Sequence, residues 1–380
     1  MGSALSLYSR FFVQLWGASL RIDDKVGLCL IHLSIRGIPF WDGGVCIWGW
    51  ELDGIQNRIL KYVDDSKIIN YWKNEDDIIT NQEVRDKLYP WAENNNMAWH
   101  DLKFQVLRIG NLELIEDTEL FTPNYAELIA RKQFIKDLGI LVDRKISFNE
   151  QIQKAVNKTN QKAGWILRTF SNREVEFMRI LWRSLCQPHL DYCNVLWAPT
   201  ELKGDIIKME KPLRTYTKKA KGCFNLNFWE RLKKFKLSSN FRRVQRYKII
   251  YIWKTMMGIV PSIGLKWDNR IINEKPVMKI VPKSLKGLKG RARTLQAQSL
   301  GSYGVKLFNH MPWEIRSYSG DVKAFKILLD GFLSNIPDEP FTEYLHPSVK
   351  NLYGEWSNCV TDWIRIGYGD MIDDSAQNGA

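Results

Sequence analysis

The chain has 380 residues, 45% hydrophobic and 26% charged, which is enough for two or three domains with cores of their own and excludes a wholly disordered protein. Its formal net charge of +13 is concentrated: between Lys211 and Val260 stand 14 Lys or Arg against one acid, Glu230, so this segment carries the whole excess. No apolar stretch approaches the length of a membrane span, and Arg10 and Gln14 interrupt the apolar N-terminus, which argues against a secretory signal. Met1-Gly2-Ser3-Ala4-Leu5-Ser6 fits the loose myristoylation pattern, which is short enough to arise by chance.

Residues 1–50 show no clean period. Phe40-Trp41-Asp42-Gly43-Gly44 and the stretch to Trp50 mix Trp and Gly without turn logic, so the segment reads as an unmatched leader. Order begins near residue 55. Ile55, Ile59, Leu60, Tyr62 and Val63 lead into Asp64-Asp65, and Ile68, Ile69 and Tyr71 follow, which predicts a β-hairpin with the acids at its tip. Residues 78–93 read as a helix, Phe104–Ile109 as a strand, and Leu138-Gly139-Ile140-Leu141-Val142 as another, with turn chemistry at Asp143-Arg144-Lys145.

The remainder is mostly helical in pattern. Ser147 with Glu150, Ser171 with Glu174 and Asn227 with Glu230 have the spacing of a capping box, in which a side-chain oxygen takes a free N–H and a carboxylate reaches back. The first opens an amphipathic run through Phe148, Ile152, Val156, Ala163, Leu167 and Phe170. The second opens a run through Met178, Leu181, Trp182 and Leu185 that Pro188 is expected to stop. A further helix is predicted from about Ser239 to Met257, stopped by Gly258 and Pro261, with Arg242, Arg243 and Arg246 on one face. Residues 282–293 read as a loop. A last amphipathic helix runs through Val322, Phe325, Leu328, Leu329, Phe332 and Leu333, and the residues from about Gly367 form a polar tail.

The six cysteines, at positions 29, 46, 186, 193, 223 and 359, form no CxxC pair and no compact disulfide framework. They read as reduced thiols of an intracellular protein, with nucleus and cytoplasm not distinguished. His189 between Cys186 and Cys193 offers a metal reading; a buried helix end before Pro188 is the blander one.

The order of several motifs points to a family. Ile59-Leu60-Lys61-Tyr62-Val63-Asp64-Asp65 resembles the Tyr/Phe-x-Asp-Asp hairpin of reverse transcriptases, and Val63 stands where the family more often has Ala. Trp91-Ala92-Glu93-Asn94-Asn95-Asn96-Met97 with Lys103–Leu107 resembles the next palm segment of jockey-type non-LTR (LINE) retrotransposon polymerases. Lys136–Ile140 with Asp143–Phe148 resembles the primer-grip strand, and Pro188–Cys193 with Leu196-Trp197 the thumb signature. Leu307–Pro312, Ile315-Arg316, Phe325-Lys326 and Val281-Pro282 fit the carboxy-terminal part, so the resemblance covers about Glu51 to Trp363.

The resemblance implies an α+β fold: a partial palm sheet of about three strands, then a mainly helical thumb and C-terminal extension. It divides the chain into a leader (1–50), a partial palm (51–146), thumb-like helices (147–200), a basic helical segment (201–275), the extension (276–365) and a tail (366–380). It also implies RNA-directed DNA polymerase chemistry, with Asp64 the main Mg²⁺ ligand and Asp65 its neighbour. Two-metal nucleotidyl transfer needs carboxylates from separate strands around ions about 3.5–4 Å apart. The family's earlier strand with another catalytic Asp, and its Gly-rich pocket segment, are expected upstream of Glu51. The upstream acids Asp23, Asp24 and Asp42 have flanks unlike that strand, and no endonuclease domain fits there.

The expectation is therefore a catalytically incomplete polymerase relative with residual affinity for RNA or an RNA–DNA hybrid. Lys218, Lys219, Lys221, Arg231, Lys233, Lys234, Arg242, Arg243 and Arg246 are the candidate phosphate contacts, interleaved with Phe224, Phe228, Trp229, Phe235, Phe241 and Tyr247. An active polymerase whose missing palm and fingers come from a complementing fragment is the second reading. A non-enzymatic protein-interaction module built on the helical half is the third.

Overall fold

A computed structural model describes residues 27–36, 58–62, 65–72, 90, 93–94, 98–99, 104–109, 130–200, 203–260, 264–272, 275–336 and 338. The architecture is α+β, and the chain divides into two compact units, Met1–Gln151 and Ile152–Ala380. The predicted helix over 78–93 lies outside the described residues save for two positions, and the polar tail lies outside them altogether.

The first unit is built on a sheet. β1 (Gly27–Arg36) pairs antiparallel with β3 (Asp65–Trp72), which pairs antiparallel with β2 (Arg58–Tyr62). On its other edge β1 pairs with β4 (Ala98–Trp99) and β5 (Gln105–Ile109), and β5 pairs in parallel with β6 (Ala130–Arg131). The order is β2-β3-β1-β5-β6, six strands with β4, against about three expected. The added central strand comes from the supposed leader. Its sequence does carry a signal: Cys29, Ile31, Leu33 and Ile35, every second residue, are all apolar. Leu28 and Leu30 on the alternate positions blur the pattern.

A separate hairpin follows, β7 (Phe134–Asp137) and β8 (Ile140–Asp143). Leu138 and Gly139, read from sequence as part of a strand, are its two-residue turn, with φ of 40° and 93°. Positive φ at both turn positions matches the right-handed twist of the flanking strands. Ile135, Ile140 and Val142 are buried. Asp143 then organises the chain beyond it. Its carboxylate accepts from the backbone N–H groups of Lys145, Ser147 and Phe148 and from the Ser147 hydroxyl, at 2.7 to 3.1 Å. It holds Ile146 and Phe148 at positive φ with both side chains buried. Asp143 thus takes the Ser147 N–H that Glu150 was expected to take, while the Ser147 hydroxyl accepts from Asn149 N–H at 3.4 Å.

The second unit is helical. α1 (Asn149–Thr169) leads into α2 (Val175–Leu181), a π-helical turn (Trp182–Cys186), α3 (Gln187–Asp191) and α4 (Asn194–Trp197). Pro188 does not stop this run. The chain loosens to π geometry just before it, so that Gln187 N–H reaches Trp182 O and the proline falls in the first turn of α3, where its missing N–H costs nothing. The second predicted box is also absent: Asn172, not Ser171, takes the Glu174 N–H at 2.8 Å. α5 (Lys203–Lys218), α6 (Phe228–Phe235) and α7 (Asn240–Met256) follow, and here the Asn227–Glu230 box forms in full. Ser239 caps α7, as its position at the head of the apolar run predicts.

The last part of the unit wraps α7. Short strands β9 (Lys266–Trp267), β10 (Ile271–Ile272), β11 (Lys275–Pro276) and β12 (Ile280–Val281) form two small two-stranded sheets, β9 with β12 and β10 with β11. α8 (Gly290–Gln298) begins inside the stretch read as loop; a π turn (Leu300–Gly304), α9 (Val305–Asn309), α10 (Trp313–Arg316) and α11 (Val322–Ser334) complete it. Asn309 clips β12 through both backbone groups of Ile280, each at 2.8 Å. Arg316 donates to the carbonyls of Met311, Val277 and Met278. Trp253 of α7 stacks on Phe325 of α11, ring centroids 4.1 Å apart and nearly parallel, both rings fully buried. Phe325→Ala is expected to cost about 3–5 kcal/mol, read as a lowered midpoint in urea unfolding at unchanged slope.

A buried polar chain ties α2–α3, α5 and α7 together. Trp182 Nε1 donates to Gln187 Oε1 at 2.7 Å, and Gln187 Nε2 donates to Asn240 Oδ1 at 3.3 Å. Asn240 Nδ2 donates to Met209 O at 2.9 Å, and Phe241 N–H donates to Glu210 Oε1 at 2.8 Å. Burial pushes the Glu210 carboxyl up to about 8, with the Phe241 N–H opposing and the charge of Asp338 adding. The folded chain therefore holds this proton more tightly than the unfolded one. Its stabilising contribution is complete below about pH 4.5 and is lost as pH rises through about 8. Lys248, pulled down to about 7 by burial, acts in the higher window between 7 and 10.5 with the opposite slope. Between pH 5.5 and 7 the melting temperature is expected to fall as pH rises, and Glu210→Gln to flatten that fall.

Candidate functional site

Two places carry the chemistry the sequence singled out. The first is the acidic hairpin. Asp65 is the first residue of β3 and pairs with Tyr62 of β2 and Ser34 of β1, while Val63 and Asp64 lie outside the described residues. Asp65 thus opens the returning strand of the hairpin. The strand beside it, β1, reads Gly27-Leu28-Cys29-Leu30-Ile31-His32-Leu33-Ser34-Ile35-Arg36 and contains no carboxylate. Asp23 and Asp24 lie outside the described residues. Among the described residues no group of three or more His, Cys, Asp or Glu is arranged to hold a metal ion. Cys186 and Cys193 are buried, and burial pushes both thiols up to about 12, which makes them poor metal ligands. His189 is lowered by partial burial and by Lys158 and Lys162.

The second place is the basic segment, and its cations fall into two populations. The arginines are largely internal. Arg242 is 4% exposed, and its Nη1 donates to the carbonyls of Leu333 and Ile336 at 3.1 and 3.2 Å, closing the C-terminal end of α11. Arg243 pairs with Asp191, which also accepts from Gln187 and Tyr247. Arg246 pairs with Asp330. Arg231 is buried and donates to the Thr217 hydroxyl and to the carbonyls of Leu226 and Arg214. Lys248 is buried on Val195 O at 3.1 Å. These groups build the unit, a role that bidentate and carbonyl-bridging geometry suits.

The lysines face outward. Lys218, Lys219, Lys221, Lys233 and Lys234 are all exposed, as are Lys211 and Lys236, clustered around α5, α6 and the connection between them. Lys221 pairs with Glu174 and Lys234 donates to Gly222 O at 3.1 Å, both exposed interactions of low strength. Of the nine candidate phosphate-binding residues, the structure thus brings the five lysines together on one exposed corner. Arg231 and Arg242 are buried in the packing around α6 and α7, while Arg243 and Arg246 are half-buried and held in ion pairs with Asp191 and Asp330. The sequence cue that separates the two sets is helical phase: Arg242 shares its face with Gln245, Ile249 and Trp253, all buried.

No protein-family model matches the chain, and no solved structure matches it. Over 129 residues, 33% of this chain, it is 29% identical to an uncharacterized protein of Caenorhabditis elegans, and the matched part spans 63% of that protein. No helix among the described residues is long and apolar enough to cross a membrane.

The division of the cations has a direct consequence. Arg242→Glu is expected to destabilise the helical unit by about 3 kcal/mol or more, because it buries an unpaired charge and strips two carbonyls of their donor. Lys219→Glu is expected to change stability by less than about 0.5 kcal/mol. Thermal unfolding followed by circular dichroism separates the two.

Proposed function

We propose that the chain is a relative of the jockey-type retrotransposon reverse transcriptases that binds RNA or an RNA–DNA hybrid and does not extend a primer. The observation that carries this reading is the composition of β1. Two-metal transfer requires a carboxylate on the strand beside the Asp-Asp hairpin, close enough to share the ions. β1 is that neighbour, and Ser34 stands opposite Asp65. The sheet order, with the first strand between the hairpin and the later strand β5, is that of a split βαβ arrangement and supports descent from a palm. On this reading Asp64 and Asp65 hold at most a weakly bound, hydrated Mg²⁺. A complementing fragment that supplied the missing carboxylate strand would have to displace β1 from β3, which disfavours the active-polymerase reading.

Nucleic-acid affinity rests on the lysine corner and needs no carboxylate. Titration of a fluorescently labelled RNA–DNA hybrid with the full chain is expected to give anisotropy-detected binding whose affinity falls steeply with salt, with a log–log slope of about −0.7 to −0.9 per neutralised phosphate. Primer extension with Mg²⁺ is expected to be absent. Extension that disappears in Asp64→Ala would overturn catalytic silence, and absence of binding at low salt would overturn the nucleic-acid reading in favour of a protein-interaction module.

A further inference from the structure

The exposed corner between α5 and α6 has a feature that charge alone does not explain. Residues 219–227 turn tightly, with Gly222 at φ 65° and Cys223 N–H bonded to Ala220 O. Ala220 and Cys223 are buried. That anchoring forces the residues between and beyond them outward: Lys219, Lys221 and Phe224, the last with 68% of its surface exposed. Lys218 Nζ stands 4.7 Å from the Phe224 ring centroid. From Lys211 to Lys236 there are nine Lys or Arg and one acid, Glu230, whose carboxylate is engaged in its own capping box.

We infer that this corner is a binding site for single-stranded nucleic acid, with Phe224 as a stacking platform for an unpaired base and Lys218 and Lys219 as the phosphate-binding groups beside it. The inference rests on the nucleic-acid reading above and goes further, because it names the strand state and the residue that reads it. A lone exposed Phe is ordinary on a protein surface. A Phe held out by a buried turn, with an ammonium at its ring and further lysines around it, has the composition of a single-strand platform, where sequence-tolerant stacking and backbone charge act together. A duplex offers this ring little, since its bases are already stacked on one another.

The test is fluorescence anisotropy with a labelled oligo-uridine strand and with a duplex hybrid of the same length, using the full chain and three variants. Phe224→Leu keeps apolar bulk and removes the π face. It is expected to weaken single-strand binding roughly 5- to 100-fold and to leave duplex binding within about twofold. Phe224→Trp is expected to retain single-strand binding. Lys218→Gln with Lys219→Gln is expected to reduce the magnitude of the single-strand salt slope by about 0.7 for each ammonium that neutralises a phosphate. Single-strand binding equal in wild type and Phe224→Leu would overturn the site while leaving the nucleic-acid reading standing. Failure of the wild-type chain to bind either probe at low salt would remove both. Because Phe224 is exposed, the variants are expected to melt as wild type does, so a change in affinity reports the surface and not the fold.

Discussion

The helical unit depends on how the N-terminus of α7 is held. Glu210 from α5 accepts the Phe241 N–H, Ser239 caps Arg242 N–H, and Asp338 takes both the Ser239 backbone N–H and its hydroxyl. Asn240 links the same point to Met209 and, through Gln187, to Trp182 in the π turn. Buried polar groups are costly unless satisfied, so each of these partners fixes the others in place. α7 is then the axis on which the rest is assembled. Trp253 packs on Phe325, Arg242 closes α11, and Lys248 reaches the carbonyl of Val195 in α4.

This assembly explains why the positive charge of the segment means two things at once. Guanidinium groups present several donors in a planar fork and serve as bridges to carbonyls and carboxylates; Arg231, Arg242 and Arg243 are used in that way. Ammonium groups are strongly hydrated and stay at the surface when nothing compels their burial, as at Lys218, Lys219 and Lys233. Lys248 is the exception, and its depressed proton affinity is what burial of an ammonium costs. A net charge of +13 counted along the sequence therefore overstates the field at the surface near α7 and locates it instead at the α5–α6 corner.

Elements with strong local causes were legible in the sequence. α6 follows from the Asn227–Glu230 box, α7 from the Ser239 cap and its apolar phase, and α11 from a face that buries Phe325, Leu329 and Leu333. The misses have a common cause, which is that a distant or shifted partner replaced the local one. Asp143, four and five residues upstream, takes the N–H groups of Ser147 and Phe148 where Glu150 was expected to reach back to Ser147, and Asn172 replaces Ser171. Pro188 is accommodated because the π turn shifts the hydrogen-bond register just before it. Of the candidate sites, the lysines were readable as charge. The internal role of the arginines was not, because Asp191, Asp330 and the carbonyls of Leu333 and Ile336 lie 52 to 94 residues away from their partners.

In the first unit, pairing and metal chemistry make opposite demands on the same strand. β-pairing is made by backbone groups, and β1 holds eight paired positions with β3 from Gly27↔Trp72 to Ser34↔Asp65 without needing any particular side chain. A metal site has the reverse requirement, since the loss of one carboxylate from the strand beside the hairpin removes the clamp and leaves the ladder unchanged. The two constraints are separable. A strand such as β1, with a repeating apolar pattern and no acid, satisfies the first and fails the second. On the reading proposed above, a palm-like arrangement persists because packing and pairing maintain it, while the function that survives is the one that depends on neither the strand nor the metal: the exposed lysines and Phe224 of the second unit.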